Sequence, residues 1–142
     1  MASALKMPSL LFVCVANSFR SQMAEAAAKA VGGDQWDIWS AGSHPSGHVH
    51  PLAVQLMGEV GLDLSTHHSK GVDAVPPKRW DYVVTMGCGD YCPTVNAAHR
   101  VDWQIPDPAG LPLDEARRIR DEMMGRVRAL MTEASQMRGK GA

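Results

Sequence analysis

LFVCVANSFRSQMAEA, residues 11–26, passes from an apolar run through a short polar loop into an Ala-rich stretch. The apolar run begins at Ser9 and reads SLLFVCV, with no polar alternation. That pattern and length predict a strand buried on both faces, as in a parallel sheet. RSQMAEAAAKAVG, residues 20–32, places Met23, Ala27 and Val31 at helical spacing and closes on Gly32-Gly33, a helix and its stop. Between strand and helix stand a thiol, Cys14, and a guanidinium, Arg20, separated by small or polar residues apart from Val15 and Phe19.

The same alternation continues outward. WDIWSAG, residues 36–42, reads as a second strand, and SHPSGHVHP after it as a loop. PLAVQLMGEVG, residues 51–61, repeats Leu52, Leu56 and Val60 behind a Pro suited to a first helical turn. Residues 62–80 read as loop with a short helix, DYVVTMG (81–87) as a third strand, CGDYCPTVNAA (88–98) as a turn or short helical loop, and HRVDW (99–103) as a fourth strand. QIPDPAGLP is a Pro-rich loop. Residues 113–137 form the closing helix, with a stripe of Leu113, Ala116, Ile119, Met123, Val127, Leu130 and Ala134. Asp114/Arg118, Arg117/Asp121 and Arg118/Glu122 are i,i+4 charge pairs on its other side. The tail RGKGA is expected to fray. Strands alternating with helices predict one α/β domain over residues 1–142, with an ordered core of about 9–135 and a four-stranded parallel sheet flanked by helices.

Composition narrows the function. The chain has 142 residues, 45% hydrophobic and 20% charged, with a net charge of −1. That balance carries no basic footprint for nucleic acid or an anionic membrane. The apolar run Leu10–Val15 is shorter than a secretory core, and no stretch approaches the roughly 20 apolar residues of a membrane span. Three cysteines cannot all pair internally; with no secretory signal they read as reduced, cytoplasmic thiols.

A loop between a strand's end and a helix's start is an oxyanion site in waiting. Unpaired helix N–H groups and the positive end of the dipole face it. Arg20 adds a planar fork for a tetrahedral oxyanion. The same field favours a thiolate, the nucleophilic form of cysteine, and Ser21 is placed to donate to it. By itself C-x5-R also fits a buried strand cysteine beside an ordinary arginine; its position between strand and helix favours the functional reading. The oxyanion-binding set is then Val15, Ala16, Asn17, Ser18, Phe19, Arg20 and Ser21. An acid for a leaving oxygen is also needed. Asp107, in IPDPAG after the fourth strand, sits on the sheet edge that carries the Cys14 loop. Taken alone it reads as a turn aspartate.

CVANSFRS with a downstream DP resembles the low-molecular-weight protein tyrosine phosphatase fold. Within that fold the chain looks like the thiol-linked arsenate reductases: SQMAEA, SAGSHP, HPLAVQLMGEVGLDLS, SKGV, VVTMGCGDYCP and DWQIPDPAG resemble stretches of them, over about residues 9–131. Phosphatases of this fold usually carry an aromatic residue after Asp-Pro; here Ala109 and Gly110 follow. The resemblance implies that Cys14 attacks arsenate held by the loop and Arg20 while Asp107 protonates the leaving hydroxide. Cys88 then attacks the Cys14 sulfur, and Cys92 attacks Cys88, leaving a disulfide for an external thiol reductant. Thioredoxin fits that role, as does a glutaredoxin-like protein with a low-molecular-weight thiol. Phosphate and sulfate would be substrate analogues, and no tightly bound cofactor is implied.

Two departures stand out. Some of these reductases have another cysteine where this chain has Phe19. Cys88 and Cys92 are only four residues apart, a shorter gap than in many thioredoxin-linked members. On a regular helix such residues hold their Cβ atoms about 5–6 Å apart, whereas a disulfide prefers about 3.5–4.5 Å. The segment must therefore depart from helix, as Gly87 and Gly89 favour.

Other clusters are weaker. His44, His48 and His50 lie in an irregular loop with no nearby carboxylate or cysteine, and Cys88, Cys92 and His99 fall one short of a structural zinc set, so no metal site is assigned. His67 and His68 read as loop surface. Some members of the resembling family hold potassium beside the loop, on residues that match Asn17, Glu25 and Ser40. A further acidic ligand there falls at Lys70. The expectation is that the Lys70 ammonium takes the ion's place, pairs with Glu25 and removes any response to potassium. A phosphatase, and a silent oxyanion-binding redox protein, remain the alternative functions.

Overall fold

The computed structural model describes residues 7–87 and 95–140, with side chains to residue 136. Strand β1, Ser9–Cys14, is buried along its whole length, as an apolar run without alternation requires. Helix α1 is Arg20–Gly32, β2 is Asp37–Gly42, α2 is Pro51–Gly58, β3 is Trp80–Thr85, β4 is Ala97–Asp102 and α3 is Leu113–Lys140. Short 3₁₀ turns cover Gly33–Gln35 and Val72–Ala74. The four strands form one sheet in the order β2-β1-β3-β4, with parallel pairing throughout. Among the described residues no helix is long and apolar enough to cross a membrane.

Alternation along β1 divides the interior in two. Leu10, Phe12 and Cys14 face the helices, joined by Ile38, Tyr82, Val84 and residues of α1, α2 and α3. Leu11 and Val13 face the other way, with Ala41, Trp80, Val83 and Val75. Each fully buried Leu or Phe here contributes roughly 1.5–3 kcal/mol relative to exposure. The second face is covered in part by the segment around the Val72–Ala74 turn.

Several boundaries differ from the sequence reading. α2 stops at Gly58, and Gly61, at φ 81°, turns the chain away. β4 begins two residues early, because Ala97 pairs with Trp80. α3 continues to Lys140, through residues expected to fray. Leu113, at its first turn, is 37% exposed, while Arg120 is only 7% exposed. Arg117 turns from Asp121 to Glu59 of the segment after α2, and Arg120 joins it there. Residues 88–94, with Cys88 and Cys92, lie outside the described residues.

This order places the site. β1 is central, and the chain leaves it toward β2 on one side and β3–β4 on the other. The crevice beyond the carboxyl end of such a strand is where open α/β sheets bind ligands. Cys14 is the last residue of β1.

Candidate active site

Residues 14–20 connect β1 to α1, and the carbonyls of residues 14–18 are each held by a donor outside the loop. The backbone N–H groups of Ser43, His44, Ser46 and His50 donate to the carbonyls of Cys14, Val15, Ala16 and Ser18 at 3.3, 2.8, 3.0 and 2.9 Å. Gln22 Nε2 donates to the carbonyl of Asn17 at 3.1 Å, and Ser69 Oγ to that of Ala16 at 2.9 Å. With five successive carbonyls held from outside, the loop's N–H groups are left for the inside, the arrangement of an anion nest. At Phe19, the residue before α1, no side chain caps the helix, so its first N–H groups stay available too.

The brace needs close approach. A Cβ on Gly42 would fall 2.6 Å from the Val15 carbonyl oxygen and 2.9 Å from the Asn17 nitrogen. Gly42 is thus the position where β2 touches the loop. The sequence reading took residues 43–50 as a plain connection and missed this role; the small residues of SAGSHP were its visible sign.

Inside the loop Asn17 adopts φ 47°, a conformation Asn tolerates because its short polar side chain bonds locally. Its Nδ2 donates to Ser21 Oγ at 2.8 Å and to Ser40 Oγ at 3.0 Å. Its Oδ1 accepts from Gln22 Nε2 at 3.0 Å and from the Lys70 backbone N–H at 2.9 Å. Ser21 Oγ lies 2.9 Å from Cys14 Sγ. Because that oxygen already accepts from Asn17, its own proton is free to point at the sulfur. The arrangement aims a hydroxyl donor at the sulfur.

Ser40, already an acceptor from Asn17, donates to Glu25 Oε1. Ser21, Glu25 and Lys29 occupy successive turns of α1, and Lys29 Nζ meets Glu25 Oε2 at 2.6 Å. Lys70 Nζ stands 3.7 Å from Glu25 Oε1, so the expected pairing is present. Burial pushes the Glu25 carboxyl up, but hydrogen bonds from Lys29 and Ser40 and the charge of Lys70 outweigh it and hold it below the usual range. Burial lowers Lys70, and Glu25 opposes that. These residues do not fit a potassium ion. An ammonium already faces the carboxylate, and the oxygens of Asn17 and Ser40 are engaged within the protein. His67, expected on the surface, is instead largely covered: its side chain is 10% exposed and Nδ1 lies 2.9 Å from Gln22 Oε1.

A cleft of about 410 Å³ opens over the loop, lined by Cys14, Arg20, Asp107, Phe19, His50 and Ala109 among others. Arg20 Nη1 donates to the Ile105 carbonyl at 3.2 Å. A Cβ on Gly87, which has φ 72°, would fall 2.5 Å from that nitrogen, so the glycine after β3 leaves room for the guanidinium. Asp107 is exposed and its Oδ1 accepts from Ala109 N–H at 3.0 Å. It is a turn aspartate and a wall of the cleft at once. Cys14, Val15, Ala16, Ser18, Phe19, Arg20 and Asp107 line one cleft, whereas Asn17 and Ser21, also expected in the anion-binding set, are fully buried and do not line it.

Fold and cleft together define a parallel α/β protein with a thiol and a guanidinium on one loop at the strand-order switch. The chain belongs to the low molecular weight phosphotyrosine protein phosphatase family, which it matches over residues 9–140. It is 42% identical over 124 residues to an arsenate reductase of Bacillus cereus strain Q1, covering 84% of this chain and 91% of that one. It is similar in structure to an arsenate reductase solved in the phosphate-binding state, with TM-score 0.78, 36% identity, and 89% and 98% of the two chains covered. It is also similar to the thioredoxin-dependent arsenate reductase of Corynebacterium glutamicum, with TM-score 0.77, 34% identity, and 94% and 65% covered.

Proposed function

We propose that this chain is a cytoplasmic arsenate reductase that works through the Cys14 thiolate and takes two electrons from an external thiol reductant. The outward-held carbonyls of residues 14–18 carry the reading, because they leave the N–H groups of the loop that begins at Cys14 for an anion. The inward N–H groups and Arg20 hold the arsenate oxygens. Cys14 attacks arsenic, a sulfur–arsenic bond forms, and a hydroxide departs as water with the proton of Asp107. Ser21, oriented by Asn17, stabilises the sulfur before attack.

Cys88 thiolate then attacks Cys14 Sγ. The sulfur–sulfur bond forms as the sulfur–arsenic bond breaks, and its electron pair stays on arsenic, which leaves as arsenite. Cys92 attacks Cys88 and frees Cys14 as a thiolate. The Cys88–Cys92 disulfide passes to the reductant, thioredoxin being the favoured one. Both cysteines lie outside the described residues, so this relay rests on their presence and on the resemblance. Hydrolysis of phosphate esters needs only Cys14, Arg20 and Asp107, so a slow phosphatase activity accompanies reduction. Ala109, in place of an aromatic platform, favours a small inorganic anion over an aryl phosphate.

Thiols counted before and after arsenate, with and without thioredoxin and its reductase, test the scheme. Cys14→Ser loses arsenate reduction and aryl phosphate hydrolysis together; full reduction in that variant overturns the proposal. Cys88→Ser and Cys92→Ser lose multiple-turnover reduction and keep the slow hydrolysis. Normal thioredoxin-driven reduction in both removes the relay and means that thioredoxin attacks the Cys14–arsenic adduct directly; reduction in both only with a low-molecular-weight thiol would assign the electrons to that thiol.

A further inference from the structure

We infer that His50 is a second side-chain donor to the bound oxyanion, facing it across the cleft from Arg20; the inference rests on the oxyanion reading of the loop. His50 precedes α2, and its Nδ1 accepts from the Leu52 backbone N–H at 3.0 Å. A capping oxygen from Ser, Thr, Asp or Asn is what this position usually carries. An imidazole makes the same bond with one ring nitrogen and keeps another. Since Nδ1 accepts, the neutral ring carries its proton on Nε2.

The ring is fixed from three sides. Its backbone N–H donates to the Ser18 carbonyl at 2.9 Å, so the residue moves with the anion loop. The imidazole stacks on Phe19 at 4.9 Å between centroids, tilted by 36°. Nδ1 is held by α2. His50 lines the same cleft as Cys14, Arg20 and Asp107. Among the described residues no group accepts from Nε2. Ser46, which lines the same cleft, spends its hydroxyl on the His48 carbonyl. A tetrahedral oxyanion lying against the sulfur has an oxygen directed away from the nest, and a fixed neutral N–H satisfies it without adding charge.

Cap and ligand are separable by substitution. Asn at position 50 places an oxygen where Nδ1 is and removes the distal N–H. Gln places an amide N–H near Nε2 and weakens the cap. The readout is the phosphate concentration that half-protects Cys14 from iodoacetamide, followed on the Cys14 peptide by mass spectrometry, alongside Tm. In His50→Asn the protecting concentration rises about 10-fold, the scale of a lost hydrogen bond to a charged group, while Tm stays near the wild-type value. In His50→Gln, Tm falls and protection stays closer to wild type. Wild-type protection in His50→Asn overturns the inference, as does a greater loss in His50→Gln than in His50→Asn, which would tie affinity to the helix cap. Absence of phosphate protection in the wild type overturns the oxyanion reading itself.

Discussion

Asp107 carries two tasks on one carboxylate. Oδ1 closes its own turn on Ala109 N–H, and the rest of the group borders the cleft with Cys14 and Arg20. Asn keeps the first task, because its side-chain oxygen accepts the same bond, and lacks the acid proton. Asp107→Asn is therefore expected to leave Tm and phosphate protection of Cys14 unchanged. Turnover with arsenate should fall by about 10²–10⁴-fold, the usual worth of a positioned acid. Steady-state kinetics beside thermal melts check it. Unchanged turnover would mean that another group supplies the proton.

At the scale of elements, the anion loop is held by its neighbours more than by itself. The segment after β2 takes its carbonyls, and the stretch before the Val72–Ala74 turn closes the other side. There the Gly42 N–H donates to the Lys70 carbonyl at 2.9 Å, and Gly42 bridges to Gly71. Lys70 is thus carried to Glu25 by backbone pairing, and the expectation that its ammonium takes the place of a bound ion has a direct test. Turnover should be the same in sodium and potassium buffers of equal ionic strength. Lys70→Asp should be slower and should regain activity with potassium. A clear potassium stimulation of the unaltered protein would refute the substitution.

Across the whole molecule, α2 and α3 are clasped by charge. Glu59 accepts from Arg117 Nε at 3.0 Å and Nη2 at 2.9 Å, and from Arg120 Nη1 at 2.7 Å. Arg120 also donates to the Leu56 carbonyl at 2.9 Å. Arg117 and Arg120 hold the Glu59 carboxyl down to about 2. A carboxyl lowered by folding adds stability that is fully present above its unfolded value, near 4.5, and is lost as pH falls toward 2. Glu59→Gln should therefore lower Tm at pH 7, and the gap to wild type should close between pH 4.5 and 2. Circular dichroism melts across that range measure it. A gap that stays constant would show that the clasp does not depend on the charge of Glu59. High salt should narrow the gap at pH 7, because Arg117 and Glu59 are partly exposed to solvent.

Much of the architecture was legible along the chain because each element satisfied its own local rule. The unbroken apolar run 10–15 has no solvent face to offer, which is what a central parallel strand requires. The Cys14 and Arg20 pair was legible for the same reason, since a strand end meeting a helix start is a local event. What tertiary structure alone decided was which groups hold the loop. Apart from Gln22, in the helix that follows, the carbonyl partners come from residues 43–50 and 69, far along the chain, and an irregular segment has no period to announce its contacts. The burial of His67 and Arg120 was likewise set by what packs against them. Lys70 stands between: its position matched by resemblance, while its meeting with Glu25 required the sheet edge to fold. Local spacing determined the strands, the helices and the thiol loop; long-range hydrogen bonding decided which way the loop faces, because a carbonyl turns outward only when a distant donor is there to receive it.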